Sequence, residues 1–210
     1  MKQLAILGAS GHGKVVADTA ELAGWERCVF FDDQWPGKVL NGAWPVMGNT
    51  ESLVRALDRY DGIVVAVGDN AIRKRLIDRL MQCGARMATV IHPHAMVSRH
   101  ASVGSGTVIF ALAVVNCGAD LGIGVILNTA CSVDHDCILA DCVHVSPGAR
   151  LAGSVTIGEG SWVGIGASLK QGVAVGRRSV IAAGAVVIGD VGDDSCVAGV
   201  PARNLGIENA

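Results

Sequence analysis

The chain has 210 residues and a formal net charge of −2 at pH 7, and half of its residues are apolar. This near-neutral charge argues against nucleic acid as the main partner. Glycines interrupt every long apolar run, so no stretch reaches the roughly 20 residues of a membrane-spanning helix and we expect no membrane insertion. Seven scattered cysteines and an N-terminus, MKQLAILGAS, without the pattern of a signal peptide predict a cytoplasmic protein with reduced thiols.

The segments before residue 95 alternate between short apolar strands and amphipathic helices. In chain order they are KQLAILGA, KVVADTAELAG, CVFFDD, GIVVAVGD, NAIRKRLIDRLMQCGA and RMATVIHP. Strands that alternate with helices form parallel sheets. The sequence therefore predicts a small Rossmann-like α/β domain over residues 1–94.

The stretch GASGHG, from Gly8 to Gly13, follows the first apolar strand and opens a helix. Backbone N–H groups at a helix N-terminus can hold phosphate. The glycine spacing is not that of a dinucleotide fingerprint, although Asp32 and Asp33 come about twenty residues later, where a ribose-binding acid would fall. From these residues alone, the loop could be a nucleotide-sugar site, a nicotinamide or other nucleotide site, or a structural turn.

From Val97 onward an apolar residue recurs at every sixth position. These residues are Val97, Val103, Ile109, Val115, Leu121, Leu127, Val133, Leu139, Val145, Leu151, Ile157, Val163, Leu169, Val175, Ile181 and Val187. Four positions after each of them, from Ala101 to Ala185, the chain is small throughout. This repeat predicts coils that each bury a bulky and a small residue per hexad. The alternative is a strand-rich sandwich with accidental periodicity.

The hexad pattern resembles the left-handed parallel β-helix, in which three hexads make one triangular coil of eighteen residues. It covers about five coils and predicts a second domain over residues 95–210, with a C-terminal cap. The handedness is implied by the resemblance and not by the spacing.

Residues 132–149, SVDHDCILADCVHVSPGA, are rich enough in histidine and cysteine to suggest a zinc site. The hexad register places Cys131 and Cys137 inside the coil, and it allows His135 and His144 to project outward. Zinc ligands must converge on one point. We therefore expect no metal here.

His135 and Asp136 together have the form of a general base with an orienting carboxylate. Gly153 follows eighteen residues later, at the same corner of the next coil. A missing side chain there would let a substrate reach the backbone, and an exposed N–H could stabilise an oxyanion. The alternative is a solvated His–Asp pair in a turn, without chemistry.

The segments NTACSVDHDCILADCVHVSPGARLAGSVTIGEGSWVGIGA and VAGVPAR, together with GASGHG, FFDD and VGDNAIRKR, resemble the bacterial hexapeptide-repeat acyltransferases of the sialic-acid O-acetyltransferase type. The resemblance is closest to the nucleotide-sugar N-acetyltransferases that acetylate a 4-amino sugar, as in bacillosamine biosynthesis, and it spans nearly the whole chain. It implies a homotrimer that uses acetyl-CoA as co-substrate and binds a nucleotide-activated amino sugar. It also implies an active site between neighbouring β-helices.

By this resemblance His135 is the general base and Asp136, in place of the Glu of the bacillosamine type, is its partner. The residues implied for acetyl-CoA are His144, Gly153, Ile165 and Ala183. Those implied for the sugar nucleotide are Gly8, Ser10, Gly11, His12, Gly13, Asp32, Asp33, Gly68, Asn70, Arg73 and Asn128. Arg73 could equally be a solvated charge on a helix face, and Asn128 could simply form an asparagine ladder in the turn.

The predicted function is acetyl-CoA-dependent acetylation of the 4-amino group of a nucleotide-linked amino-deoxy sugar, for bacterial glycan biosynthesis. UDP is the expected nucleotide, with dTDP and GDP open. The alternative is O-acetylation of sialic acid or a related sugar hydroxyl. Hypotheses from other classes are a non-catalytic sugar-nucleotide sensor and a zinc hydratase on the same type of β-helix.

Overall fold

The structure, a computed structural model, describes residues 2–206. The last four positions of the predicted second domain, 207–210, lie outside the described residues. The chain forms two compact units, Met1–Pro93 and His94–Ala210. None of the helices within the described part of the chain is long and apolar enough to cross a membrane.

The first unit contains a three-stranded parallel sheet with helices packed against it. Its elements are β1 (Gln3–Leu7), α1 (Gly11–Leu22), β2 (Arg27–Phe31), β3 (Leu40–Asn41), β4 (Trp44–Pro45), α2 (Thr50–Val54), a 3-10 turn (Leu57–Arg59), β5 (Gly62–Val65), α3 (Asn70–Gln82) and β6 (Val90–Ile91). The parallel strands lie in the order β2-β1-β5, and β3 and β4 form an antiparallel hairpin.

The parallel strands are apolar because both of their faces are covered. Leu4, Ile6 and Val64 are completely buried, as is typical of parallel strands between helices. In α3, Ile77 and Leu80 are buried three residues apart on one face, which is helical spacing. The loops that follow β1, β2 and β5 therefore meet at the carboxyl edge of the sheet, where ligands bind in open α/β sheets.

The second unit is a three-sided parallel solenoid of two-residue strands. They are β7 (Met96–Val97), β8 (Ser102–Val103), β9 (Val108–Ile109), β10 (Val114–Val115), β11 (Asp120–Leu121), β12 (Ile126–Leu127), β13 (Ser132–Val133), β14 (Ile138–Leu139), β15 (His144–Val145), β16 (Arg150–Leu151), β17 (Thr156–Ile157), β18 (Trp162–Val163), β19 (Ser168–Leu169), β20 (Ala174–Val175), β21 (Val180–Ile181) and β22 (Val186–Val187). Strands β23 (Cys196–Gly199) and β24 (Ala202–Asn204) close the C-terminal end as an antiparallel pair.

From β7 to β22, each strand pairs in parallel with the strand one coil away. The register is eighteen residues, as in the stack Val115, Val133, Leu151, and it shortens between β21 and β23. The first face contains β7, β10, β13, β16, β19 and β22. The second contains β8, β11, β14, β17 and β20, and the third contains β9, β12, β15, β18, β21 and β23. We call the turn from the first to the second face, such as 134–137, the first corner. The turn from the third to the first face, such as 164–167, is the third corner.

The interior of the solenoid is filled as the period of six predicts. The bulky position is buried in every coil from Ile109 to Val187, and Cys131 and Cys137 at the small position have no exposed surface. The predicted fold class, a parallel α/β unit followed by a hexapeptide β-helix, is confirmed. The sandwich alternative is wrong, because neighbouring strands of each face follow one another at one constant register.

Candidate active site

His135 and Asp136 form a paired imidazole and carboxylate on the surface of the first corner. The His135 Nδ1 lies 2.8 Å from the Asp136 Oδ2, and both side chains are exposed. An ionised carboxylate can only accept, so Nδ1 carries the proton and Nε2 presents its lone pair. The hydrogen bond to Asp136, followed by the charges of Asp134 and Asp136, raises the pKa of His135 above its ordinary value.

Asp136 reaches the imidazole from the left-handed position that recurs in the turns of the solenoid. Asp136 has φ +58°, a left-handed conformation that aspartate tolerates better than most residues. Its carboxylate lies over Gly118 of the preceding coil, where a Cβ would stand 2.5 Å from Oδ1. A side chain at Gly118 would displace this carboxylate, so the glycine keeps the partner of His135 in place.

Gly153, one coil after His135, is covered by the imidazole. A Cβ on Gly153 would lie 2.4 Å from Cε1 and from Nε2 of the ring. The space that the sequence predicts for an approaching substrate is therefore filled by His135. The contact of the Gly153 backbone with the acetyl carbonyl stays a prediction.

His144 stands on the third face with its ring parallel to the indole of Trp162. The ring centroids are 5.5 Å apart and the interplanar angle is 5°. The His144 Nε2 lies 3.3 Å from the Asn128 Nδ2, and the Trp162 Nε1 donates to the Ser146 Oγ at 2.7 Å. His144 occupies an outward-facing position, as predicted, but only 8% of its surface is exposed.

A mainly apolar pocket of about 230 Å³ adjoins this stack at the third corner. It is lined by Ser146, Trp162, Gly164, Ile165, Val180, Ile181, Ala182 and Ala183. Ile165 and Ala183, two of the residues implied for acetyl-CoA, thus line one pocket. Asn128 makes a side-chain contact with His144 and not with an asparagine of a neighbouring coil.

The base and the pocket lie at different corners of one chain. His135 is at the first corner, and Ile165 is at the third corner, with the first face between them. Within one coil, equivalent positions of the third and the first corner are six residues apart, which corresponds to about 20 Å of extended chain. Within one chain, His135 and the pocket are therefore separated by a face of the solenoid.

In the first unit the glycines of the loop after β1 differ in what they contact. Gly8 has φ +111°, and a Cβ there would lie 2.7 Å from the Ala66 carbonyl oxygen. A Cβ on Gly13 would lie 2.4 Å from the Gly8 carbonyl oxygen. A Cβ on Gly11 meets nothing within 4 Å, so only Gly11 offers room for a ligand. Ser10 is exposed at the N-cap of α1 and makes no side-chain capping bond.

Asp32 and Asp33 hold backbone amides of neighbouring loops. Asp32 accepts from Ala9 N at 2.7 Å through one oxygen and from Gln34 N at 3.0 Å through the other. Asp33 is exposed and accepts from Thr50 N at 2.9 Å. Asp32 thus ties the glycine loop to the end of β2, and its contact with a sugar nucleotide stays a prediction.

Arg73 is buried beneath the loop that follows β5, with 1% of its surface exposed. The alternative of a solvated helix-face charge is wrong, because its guanidinium donates to the carbonyls of Val67 and Gly68 and to the Asn70 Oδ1 at 2.7–3.1 Å. Burial, followed by the charge of Arg73, lowers the pKa of His12 to about 4. His12 is therefore neutral at pH 7 beside a fixed positive charge.

Comparisons with known proteins match both units. Residues 3–80 match the PglD N-terminal domain, and residues 154–189 match the bacterial transferase hexapeptide (six repeats). A GDP-perosamine N-acetyltransferase of Escherichia coli O157:H7 is 30% identical over 170 residues, covering 78% of this chain and 76% of that protein. The chain belongs to the hexapeptide-repeat sugar N-acetyltransferases.

Two further members of this acetyltransferase family are similar to the chain. A UDP-N-acetylbacillosamine N-acetyltransferase of Bacillus subtilis (strain 168) is 38% identical over 115 residues, which is 53% of this chain and 52% of that protein. The acetyltransferase domain of PglB from Neisseria gonorrhoeae FA1090, solved in complex with acetyl coenzyme A, is 44% identical. It superposes with a TM-score of 0.92 over 97% of this chain and 99% of that one. The predicted acyltransferase family is confirmed.

Several residues that contact the candidate site residues were missed from the sequence. The Lys38 Nζ donates to the Ala9 carbonyl, and the buried Asn41 donates to the Ser10 carbonyl at 3.1 Å. Both lie in a segment without periodicity, so nothing in the sequence pointed to them. Trp162 follows His144 by eighteen residues, and this spacing could have placed it in the same stack.

The described residues, 2–206, contain no group of three or more His, Cys, Asp or Glu side chains that could hold a metal ion. Cys137 points into the coil and donates to the Ala152 carbonyl at 3.2 Å, whereas His135 lies on the surface. The absence of a metal requirement stays a prediction.

Proposed function

We propose that the chain transfers the acetyl group of acetyl-CoA to the 4-amino group of a nucleotide-linked amino-deoxy sugar. The observation that carries this proposal is the His135–Asp136 pair in a member of the sugar N-acetyltransferase family. Its relatives are named for GDP-perosamine and for UDP-N-acetylbacillosamine. We propose UDP as the nucleotide, with GDP as the alternative, because relatives of both kinds are similar to the chain.

The geometry supports a direct transfer with His135 as general base. The sugar amine attacks the thioester carbon, and His135 Nε2 takes the amine proton while Asp136 stabilises the resulting imidazolium. The C–N bond forms, the C–S bond breaks, and CoA leaves as the thiolate, which is then protonated. The Gly153 N–H donates to no acceptor within residues 2–206, but it is buried beneath the His135 ring, so its proposed role towards the developing oxyanion requires the ring to move aside.

The pocket at the third corner is proposed to bind the pantetheine arm of acetyl-CoA. Its lining is mainly apolar, and Trp162 and Ile165 are both exposed beside it. His144 stacks on Trp162 and would lie near the thioester. In the first unit, the glycine loop at Gly11 and the positive charge of Arg73 are proposed to bind the diphosphate.

We further propose that the active form is a homotrimer in which each site combines two chains. The support is that His135 and the pocket of the same chain lie at different corners of the solenoid, so neither half-site is complete. Closed rotational symmetry brings the first corner of one chain to the third corner of the next. We expect a soluble, cytoplasmic assembly that needs no metal.

Mixing two inactive variants tests the shared site. His135→Ala removes the base, and Ala183→Trp blocks the pocket from an exposed position. If sites are shared, randomly mixed trimers from equal amounts of the two variants should regain about one quarter of wild-type activity. Half of the interfaces receive an intact base, and half of those also receive an intact pocket from the neighbouring chain. A mixture as inactive as its components, from chains shown to exchange, would refute the shared site.

Product analysis tests the reaction itself. Acetyl-CoA is supplied with 4-amino sugars linked to UDP, dTDP and GDP, and with sialic acid, and the products are identified by mass spectrometry. We expect an amide product, with UDP as the preferred nucleotide. An ester product would favour O-acetylation. Nucleotide binding without CoA release from any acceptor would favour a sensor, and stoichiometric zinc required for activity would favour a hydratase.

A further inference from the structure

A second carboxylate, that of Asp134, comes directly before the proposed base in the chain, as Asp136 comes directly after it. The Asp134 Oδ1 accepts a hydrogen bond from the His135 N–H at 2.8 Å. The same oxygen accepts from the Asn116 Nδ2 at 2.8 Å. Asn116 is in the preceding coil, eighteen residues earlier, so this bond joins two coils beside the base.

The solenoid itself does not require this pair. The backbone of both residues is already held, since Asn116 N donates to the Val133 carbonyl and Asp134 N to the Leu151 carbonyl, each at 3.0 Å. In the next coil the same position is Ala152, which folds into the same turn without a polar side chain. The turn itself therefore does not explain why a polar pair stands in the coil that carries His135.

The charged groups that face His135 are few. On its own turn they are Asp134 and Asp136. At the same corner position, the preceding coil presents Cys117 and the following coil Gly153, and the coils beyond these present Arg99 and Gln171. The bonds from the His135 N–H and from Asn116 lower the pKa of Asp134, so that it is ionised at neutral pH.

We propose that Asn116 and Asp134 are a positioning pair for the base: Asn116 holds the Asp134 carboxylate, which fixes the His135 backbone and keeps a second negative charge beside the imidazole. The proposal rests on the proposed role of His135 in acetyl transfer. Neither residue needs to touch the substrate, because both act through His135.

Three variants separate position from charge. Asp134→Asn keeps an oxygen that can accept both hydrogen bonds but removes the charge. Asp134→Ala removes the acceptor oxygen as well as the charge. Asn116→Ala keeps the carboxylate but removes the side chain that holds it. Asp141→Ala is the matched control. Asp141 also accepts a backbone N–H from the preceding coil, that of Ile123 at 2.8 Å, but it lies at a different corner from His135.

The readouts are kcat, both KM values, the pH profile of kcat/KM, and NMR titration of the His135 imidazole, assigned by its absence in His135→Ala. Asp134→Asn should lower the pKa of His135 and move the acid limb of the profile to lower pH. Asp134→Ala should also lower kcat by about 10- to 100-fold, as misplaced catalytic groups do. Asn116→Ala should give a smaller loss of kcat, with KM for acetyl-CoA unchanged in all three.

The proposal is overturned if the Asp134 variants show the same His135 pKa and the same kcat as Asp141→Ala. This holds whatever happens to the melting temperature. The NMR titration needs no substrate. If the wild-type protein transferred no acetyl group, the proposed function would fail, and the titration would still decide whether Asp134 and Asn116 control the state of His135.

Discussion

The imidazole of His135 lies directly over Gly153 of the next coil. A Cβ on Gly153 would stand 2.4 Å from both Cε1 and Nε2, closer than real Cβ contacts. The backbone of Gly153 has no positive φ, so its conformation is open to any residue. Glycine is needed at this position because of the ring and not because of the turn.

Replacing Gly153 by alanine should therefore displace the base. We expect kcat to fall by about 10- to 100-fold, with little change in melting temperature, because the ring can move into solvent. The control is Gly189→Ala. Gly189 occupies the same corner position two coils further along, and a Cβ there meets nothing within 4 Å. Equal activity of the two variants would mean that the ring position has no effect on catalysis.

The alanine variants of the two histidines should differ in kind. His135→Ala should lose about 10²–10⁴ in kcat while both substrates still bind, with partial recovery at high pH as more amine becomes unprotonated. His144→Ala removes the ring stacked on Trp162 and should act mainly through the KM for acetyl-CoA. Steady-state kinetics with each substrate varied in turn check this. An unchanged kcat in His135→Ala would reject it as the base.

Gly11 and Gly8 should respond differently to substitution. Gly11→Val should leave the free energy of unfolding within about 0.5 kcal/mol of wild type, because a Cβ at this position meets nothing within 4 Å. It should raise the KM for the sugar nucleotide far more than that for acetyl-CoA. Gly8→Ala must adopt φ +111° beside the Ala66 carbonyl and should cost about 1–3 kcal/mol. Equal effects of Gly11→Val on both KM values would make the loop structural.

Thiol labelling of the native protein should be fastest at two cysteines. Cys83 and Cys117 are exposed, Cys196 is half-buried, and those that are buried are Cys28, Cys131, Cys137 and Cys142. Burial raises the pKa of Cys28 and of Cys131 to about 12, and a protonated thiol is a poor nucleophile. Maleimide labelling followed by peptide mass spectrometry checks this.

An adduct on Cys117, at the same corner one coil from His135, should also slow acetyl transfer. Cys117→Ser should remove that sensitivity. Rapid labelling of Cys131 in the native protein would contradict the interior assigned to it.

His12 should make stability depend on pH. The folded protein holds the pKa of His12 at about 4, below the ordinary value of 6.5. Between these values the unfolded chain binds a proton that the folded chain does not, so stability falls as the pH drops from about 6.5 to 4. Urea unfolding of His12→Gln should show a weaker fall over this window, with His100→Gln, at an exposed position, as the control. A parallel decline in all three proteins would assign the effect to other groups.

The solenoid could be predicted from the sequence because its side-chain directions follow from local strand pairing. A constant register of eighteen residues determines which side chain faces inward, so the burial of Cys131 and Cys137 and the surface position of His135 could be predicted without coordinates. The same register pairs His135 with Gly153, and Asn116 with Asp134. It places residues side by side, but it does not determine what occupies the space between them.

That last step depends on side-chain conformation and on contacts between distant segments, which only the tertiary structure decides. The ring of His135 fills the space over Gly153 because of the rotamer that its bond to Asp136 selects. Arg73 lies on a helix whose sequence allowed a solvated charge, yet packing against the loop at Gly68 buries it. Lys38 reaches the glycine loop from a segment without a repeat. No local period encodes these contacts, because they join residues far apart in the chain through side chains with several allowed conformations.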